Sequence, residues 1–87
     1  MKVLASLYFL KKYKRLARTK RGLAVATDKK IDLFRKNQNH PSLRLHKLSG
    51  RKIDQWSISI AKDTRIIFQF VKEGVLLVDI GSHKEVY

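Results

Sequence analysis

Residues Trp56 to Phe70, WSISIAKDTRIIFQF, hold two runs of alternating apolar and polar residues on either side of Lys62-Asp63-Thr64. Trp56, Ile58 and Ile60 alternate with Ser57, Ser59 and Ala61; Ile66, Phe68 and Phe70 alternate with Arg65, Ile67 and Gln69. Period-two alternation belongs to strands with one dry face and one wet face. Two such runs so close together specify a β-hairpin. Its register follows from parity, because a one-residue slip turns every side chain to the other face. A three-residue loop places Ala61 opposite Arg65 and sets Ile60, Ile58 and Trp56 against Ile66, Phe68 and Phe70. A two-residue loop mixes the faces. The three-residue loop is therefore expected, with Asp63 adopting the left-handed conformation in the absence of a glycine. Trp56 reads as core, and Arg65 lies on the face away from it, beside Ser57, Ser59 and Gln69.

The same logic extends to a second hairpin. Lys72-Glu73-Gly74 is its expected loop, with a last strand from Val75 to Gly81. Ile66, Phe68 and Phe70 then face Ile80, Val78 and Leu76, while Ile67 faces Asp79 and Arg65 faces Gly81. Asp63 comes near His83. Parity in the two hairpins thus gathers Asp63, Arg65 and His83 at one end of one sheet face.

Ahead of the hairpins, Lys2 to Leu7 reads as a short strand with Val3, Ala5 and Leu7 on one side, merging into a helix from about Ser6. Phe9, Tyr13, Leu16 and Ala17 form an apolar stripe at helical spacing. Gly22 interrupts, and a second helix runs from about Leu23 to Lys36 with Leu23, Thr27, Ile31 and Phe34 inward. Asn37 to Pro41 ends it, since the residue before proline avoids helical backbone. Leu43, Leu45 and Lys47 read as a strand, and Ser49-Gly50 as a turn. The fold class expected is α+β: one domain over residues 1–87, β-α-α-β-β-β, an antiparallel sheet with two helices on one face.

Charge is distributed unevenly. The net charge is +13; sixteen of the 20 Lys and Arg residues lie in residues 1–52, against only Asp28 and Asp32. Such asymmetry calls for a polyanionic partner. Lys11, Lys12, Lys14, Arg15 and Arg18 crowd one helix face without acidic partners one turn on, and are expected to meet phosphates. Arg44, Lys47, Arg51 and Lys52 are expected to reach RNA as well. The absence of cysteine excludes disulfides and thiolate metal sites. The three histidines, none at i, i+4 spacing, argue against zinc; no metal and no cofactor are expected. No apolar run approaches the roughly 20 residues of a membrane span. Met1-Lys2-Val3-Leu4 lacks a signal-peptide core, so a cytoplasmic chain with no membrane role is expected.

Taken in order, HPSLRLHKLSG, WSISI, DTRIIF and DIGSHKEVY resemble the RelE/ParE superfamily of type II toxins, nearest to RelE and YafQ-like mRNA interferases. The Phe9 to Leu16 segment is similar to the family's first helix. The resemblance implies helices on one side of a curved sheet and an active site on the other. It also implies cleavage of mRNA in the ribosomal A site, by attack of the ribose 2′-hydroxyl on the adjacent phosphate without a metal. A small acidic antitoxin would be the neutralising partner; rRNA and mRNA would be the nucleic-acid partners. That chemistry needs a base, a cation for the phosphorane and an acid. By resemblance, His46, Asp63, Arg65, His83 and Tyr87 fall on functional positions. Arg65 would aim at the scissile phosphate, His83 would be the catalytic histidine near the C-terminus, and Tyr87 the aromatic that stacks on or orients the substrate. The sequence departs at Ser59, where YafQ-like relatives carry a further histidine, and Arg51 and Lys52 are loose counterparts of the RelE lysines. Base and acid stay open between His46 and His83. Two other readings remain: a ParE-like gyrase poison, which shares the fold without needing nuclease residues, and a non-cleaving RNA- or antitoxin-binding relative.

Overall fold

The computed structural model describes residues 1–51 and 53–86, Glu85 by its backbone alone. Strand β1 (Lys2–Ala5) leads into helices α1 (Leu7–Thr19) and α2 (Arg21–Lys36). A 3₁₀ turn (Pro41–Leu43) precedes β2 (His46–Lys47), β3 (Trp56–Ala61), β4 (Thr64–Val71), β5 (Gly74–Ser82) and a final turn of helix, α3 (His83–Val86). The strands form one sheet in the order β1-β5-β4-β3-β2. The α+β architecture is the expected one. The sheet, however, is mixed, because β1 runs parallel to β5 while every other pair is antiparallel. A hairpin forces antiparallel pairing; β1 meets the last strand across the whole chain, so no hairpin sets its direction.

Ser6 ends β1 earlier than the sequence pattern indicates. Its Oγ accepts from Phe9 N–H (3.0 Å) and donates to Val78 C=O (3.2 Å), and its N–H donates to Leu77 C=O (2.9 Å). One serine therefore caps α1 and fastens it to β5. Leu7, expected on the strand's inner side, is instead the first residue of α1 and 82% exposed. The break between the helices falls at Lys20, one residue long, and Gly22 lies inside α2. Phe9 from α1 and Phe34 from α2 are buried against Ile58, Ile60, Ile66, Phe68, Val75, Leu77 and Ile80, with Tyr13, Leu16, Leu23 and Ile31 packed around them. Trp56 meets Phe70 edge-on at the core's margin, ring centroids 5.4 Å apart.

Both hairpins differ from the parity reading in the same way. The β3–β4 turn is two residues, Lys62-Asp63, and Ala61 pairs with Thr64. A bulge at Ile60 then restores parity, giving Ser59 opposite Arg65 and Ile58 opposite Ile66. A bulge sets two residues against one, so it re-aligns the faces as well as an odd loop does. Asp63 consequently needs no left-handed backbone; among the described non-glycine residues only Arg44 has positive φ. The β4–β5 turn is Lys72-Glu73, with a bulge at Val78. Arg65 faces Gly81, Ile66 faces Ile80 and Ile67 faces Asp79 as the alternation requires. Nearer the turn the register moves, pairing Phe68 with Leu77 and Phe70 with Val75. Gly74 is fixed by close approach: a Cβ there would lie 2.0 Å from the Lys2 carbonyl oxygen.

Leu43 and Leu45 do not belong to a strand. Pro41 starts a 3₁₀ turn that His40 caps, its Nδ1 accepting from Ser42 N–H (3.2 Å), and Arg44 closes it at φ 48°. Leu43 is buried in the main core, and the strand begins only at His46. The face away from α1 and α2 is also partly covered. Leu48, Ile67 and Val86 form a second small cluster there, and Arg51 Nη2 donates to Val86 C=O (3.0 Å), tying the β2–β3 loop to α3.

Candidate functional site

On that second face, beside the small cluster, Arg65 sits at the junction of β2, β3 and the 3₁₀ turn. Its Nε donates to Ser57 Oγ at 3.1 Å and its Nη2 to the same oxygen at 2.9 Å. Nη2 also reaches the Arg44 carbonyl (3.1 Å) and His46 Nδ1 (3.3 Å). His46 Nδ1 and Ser57 Oγ are 3.4 Å apart. The register explains the meeting: His46 pairs with Ser57 across β2–β3, and Arg65 pairs with Ser59 one step along the same face. Ser57 has no solvent exposure, Arg65 is half-buried and His46 is exposed. The left-handed backbone at Arg44 turns its carbonyl back toward the guanidinium.

A guanidinium held on its Nε/Nη2 edge is a fixed cation. Arg65 Nη1 takes no hydrogen bond among the described residues, so donors remain for an anionic ligand. The planar fork suits a phosphodiester, and an imidazole at hydrogen-bond distance adds a group that can donate or accept a proton.

The other sequence-derived candidates spread out. His83 begins α3, two residues beyond Gly81, which faces Arg65. It is exposed at the rim where β4 starts. Asp63 is exposed in the Lys62-Asp63 turn and forms no ion pair among the described residues. It lines a cleft of about 340 Å³ between α1 and the β4–β5 end, with Lys12, Arg15 and Ser82 also on its walls. Tyr87 and Lys52 lie outside the described residues.

The cations divide likewise. Lys11, Lys14, Arg15 and Arg18 are exposed on α1 and unpaired among the described residues. Lys12 is engaged instead. Its Nζ lies 2.6 Å from Asp79 Oδ1, both side chains about one-fifth exposed, and 5.5 Å from the Tyr8 ring centroid. Lys47 makes a loose, exposed pair with Asp54 at 3.4 Å, Arg51 holds Val86, and the Arg44 side chain is exposed. Among the described residues no group of three His, Asp or Glu is placed to hold a metal ion, and no helix is long and apolar enough to cross a membrane.

Sequence reasoning missed two parts of this cradle: Ser57 as the acceptor that seats Arg65, and the Arg44 carbonyl. The signal for Ser57 was present, since its parity places it on the face of Arg65. The carbonyl carried none, because the sequence reads as strand where the 3₁₀ turn lies.

Residues 1–87 match the sequence model of one family, described as bacterial toxin of type II toxin-antitoxin system, YafQ. Among curated proteins no significant sequence match is found. Solved structures share the fold. A YoeB/ParE toxin from Agrobacterium tumefaciens superposes with a TM-score of 0.80 at 18% identity, over 95% of this chain and 99% of its own. A metal-bound toxin from Helicobacter pylori gives 0.78 at 24% identity, over 100% and 99%. The E. coli DinJ–YafQ toxin–antitoxin complex gives 0.78 at 15% identity, over 99% and 96%.

Proposed function

Because the chain belongs to the YafQ family of bacterial type II toxin–antitoxin toxins, we propose that it is an mRNA interferase: a metal-independent endoribonuclease that cuts messenger in the ribosomal A site. The observation that carries this reading is the seated guanidinium of Arg65 with His46 at 3.3 Å. Arg65 stabilises the phosphorane formed when the 2′-hydroxyl attacks its own 3′-phosphate. The O2′–P bond forms, the P–O5′ bond breaks, and the products are a cyclic phosphate and a free 5′-hydroxyl. His83 and His46 are the groups for proton transfer and hydrogen bonding; Asp63 supports them at the start of β4, and Tyr87 orients a base. Lys11, Lys14, Arg15 and Arg18 bind rRNA phosphates, with Arg44 and Lys47 nearer the messenger; Lys52, outside the described residues, is assigned to RNA by its sequence alone. Lys12 and Arg51, first counted among the RNA ligands, have structural partners that favour a scaffolding role. Binding by such contacts falls steeply with salt.

The partner that silences it is a small antitoxin, acidic to complement the +13 chain, as the E. coli relative is found bound to DinJ. The site of action is the cytoplasm, where ribosomes are. In a reconstituted translation mix the chain should cut messenger only when ribosomes are present, leaving 2′,3′-cyclic phosphate ends. Ribosome binding without cutting would leave a non-enzymatic RNA-binding protein. Growth arrest that persists in His83→Ala, with DNA gyrase trapped on DNA, would instead identify a gyrase poison.

A further inference from the structure

The segment between α2 and β2 is short, yet it is braced from several directions. His40 Nδ1 accepts from Ser42 N–H at 3.2 Å. Leu43 N–H donates to the His40 carbonyl at 3.0 Å, and Arg44 N–H to the Pro41 carbonyl at 3.2 Å. Lys30 Nζ, from α2, donates to the Ser42 carbonyl at 3.3 Å. Leu43 has no solvent exposure and sits in the main core. Arg44 follows directly, at φ 48° and ψ 50°, the one described non-glycine residue with positive φ. That backbone crowds Cβ against the following carbonyl oxygen in every residue but glycine, with asparagine the next most tolerant. An arginine there carries a conformational cost that the surrounding contacts impose. The cost produces one contact: the Arg44 carbonyl accepts from Arg65 Nη2 at 3.1 Å. A hydroxyl can rotate away from a guanidinium. A carbonyl held between turn hydrogen bonds and a buried leucine cannot.

Resting on the nuclease reading above, we propose that Arg44 is a positioning residue for the reaction: its left-handed backbone aims the Arg65 guanidinium at the phosphate, independently of the Arg44 side chain. The guanidinium is planar, so a fixed acceptor at Nη2, together with Ser57 Oγ 3.1 Å from Nε, sets both its plane and the edge it turns outward. A displacement of about 1 Å at such a group is enough to slow a reaction by a large factor. The Arg44 side chain has a separate task. It is exposed, and as a cation beside the same site it attracts the messenger's phosphates. One residue thus serves the chemical step through its backbone and affinity through its charge. That division explains an arginine where glycine would adopt the same backbone without cost. It also ties the two layers together, because the turn that aims Arg65 is anchored by Leu43 in the apolar core and by Lys30 on α2.

The test compares variants of the full chain that lose the same cation and differ in backbone tolerance. Arg44→Gly and Arg44→Asn accept positive φ; Arg44→Val resists it. In cleavage of ribosome-bound messenger all three should show the same KM, raised above wild type by the missing charge. The kcat of Arg44→Val should fall about 10- to 100-fold below that of Arg44→Gly, with Arg44→Asn close to the latter. Arg44→Ala, which also resists positive φ but with less bulk, carries the same comparison if Arg44→Val does not fold. Equal kcat in Arg44→Gly and in the folded Arg44→Val or Arg44→Ala chain overturns the proposal and leaves Arg44 a phosphate ligand alone. A second readout needs no cleavage: the Arg65 Nε–H signal in nitrogen NMR of the labelled chain, recorded below neutral pH and identified by its absence in Arg65→Lys. Its proton should exchange with solvent slowly in wild type and Arg44→Gly, and roughly 10-fold faster in Arg44→Val. Equal exchange in Arg44→Gly and Arg44→Val contradicts the positioning role. Faster exchange in Arg44→Val, with no cutting by any of the chains including wild type, would uphold the seating of Arg65 and overturn the nuclease reading.

Discussion

The two faces of the sheet are built from alternate residues of the same strands, yet different forces hold them. Toward the helices, Ile58, Ile66 and Phe68 are wholly excluded from solvent, and Phe34 meets Phe68 with ring centroids 4.8 Å apart. That order comes from buried apolar area, which is non-directional and contributes about 25 cal/mol per Å². On the opposite face Ser57 is just as buried, but it is satisfied by directed hydrogen bonds from Arg65. The apolar side determines whether the chain folds. The polar side determines where one cation sits. The difference makes folding and activity separable by mutation.

Phe68→Ala should have the largest effect on stability, costing about 3–5 kcal/mol as a cavity opens against Phe34 and Phe70; a denaturant melt reads it directly. A loss below 1 kcal/mol would mean the helix face is not the organising core. Gly74→Ala comes next. Its Cβ cannot share space with the Lys2 carbonyl, so β1 must shift from β5, and the loss should be about 1–3 kcal/mol. Hydrogen exchange should show opening confined to residues 2–5 and 74–77. Lys12→Met removes the partner of Asp79 and should cost about 1–2 kcal/mol; unchanged stability would return Lys12 to the RNA-binding set. The smallest effect concerns Tyr13. Its hydroxyl donates to Asp28, and that hydrogen bond, with burial and the Asp28 charge, raises the phenol above its ordinary value of 10.0. A raised pKa in the folded state stabilises the chain below pH 10 and the benefit disappears as pH climbs through the higher folded value. Tyr13→Phe should therefore lower stability slightly at neutral pH, where the hydrogen bond to Asp28 is present, and flatten the alkaline end of the stability profile.

Much of this division was legible from alternation alone. The pairs Arg65–Gly81, Ile66–Ile80 and Ile67–Asp79 follow from counting residues, and so does the placement of Ser57 and Arg65 on one face. What counting could not supply was the device that keeps the faces in phase. An odd loop and an even loop with a bulge give the same alternation, and no residue in Ile60 or Val78 announces a bulge. The direction of β1 was hidden because its partner is non-local. The 3₁₀ turn at Pro41–Leu43 was hidden because Leu43 and Leu45 imitate a strand; His40 and Arg44, which define the turn, act through a ring nitrogen and a backbone angle. Within the candidate site, His46 and Arg65 were visible as side chains, whereas the Arg44 carbonyl was not. His83 and Asp63 were brought toward Arg65 by register, but the described contacts join only His46, Ser57 and Arg44 to it.

In the proposed mechanism Arg65 grips the phosphate being cut. Single-turnover cleavage of ribosome-bound messenger by Arg65→Ala tests it most directly, alongside a melting curve. The expected result is a cleavage rate at least about 100-fold below wild type, ribosome affinity retained and a loss of stability no larger than about 1–3 kcal/mol, the cost of leaving the buried Ser57 hydroxyl without its Arg65 donors. Cleavage at the wild-type rate by a folded Arg65→Ala chain would remove Arg65 from the phosphate.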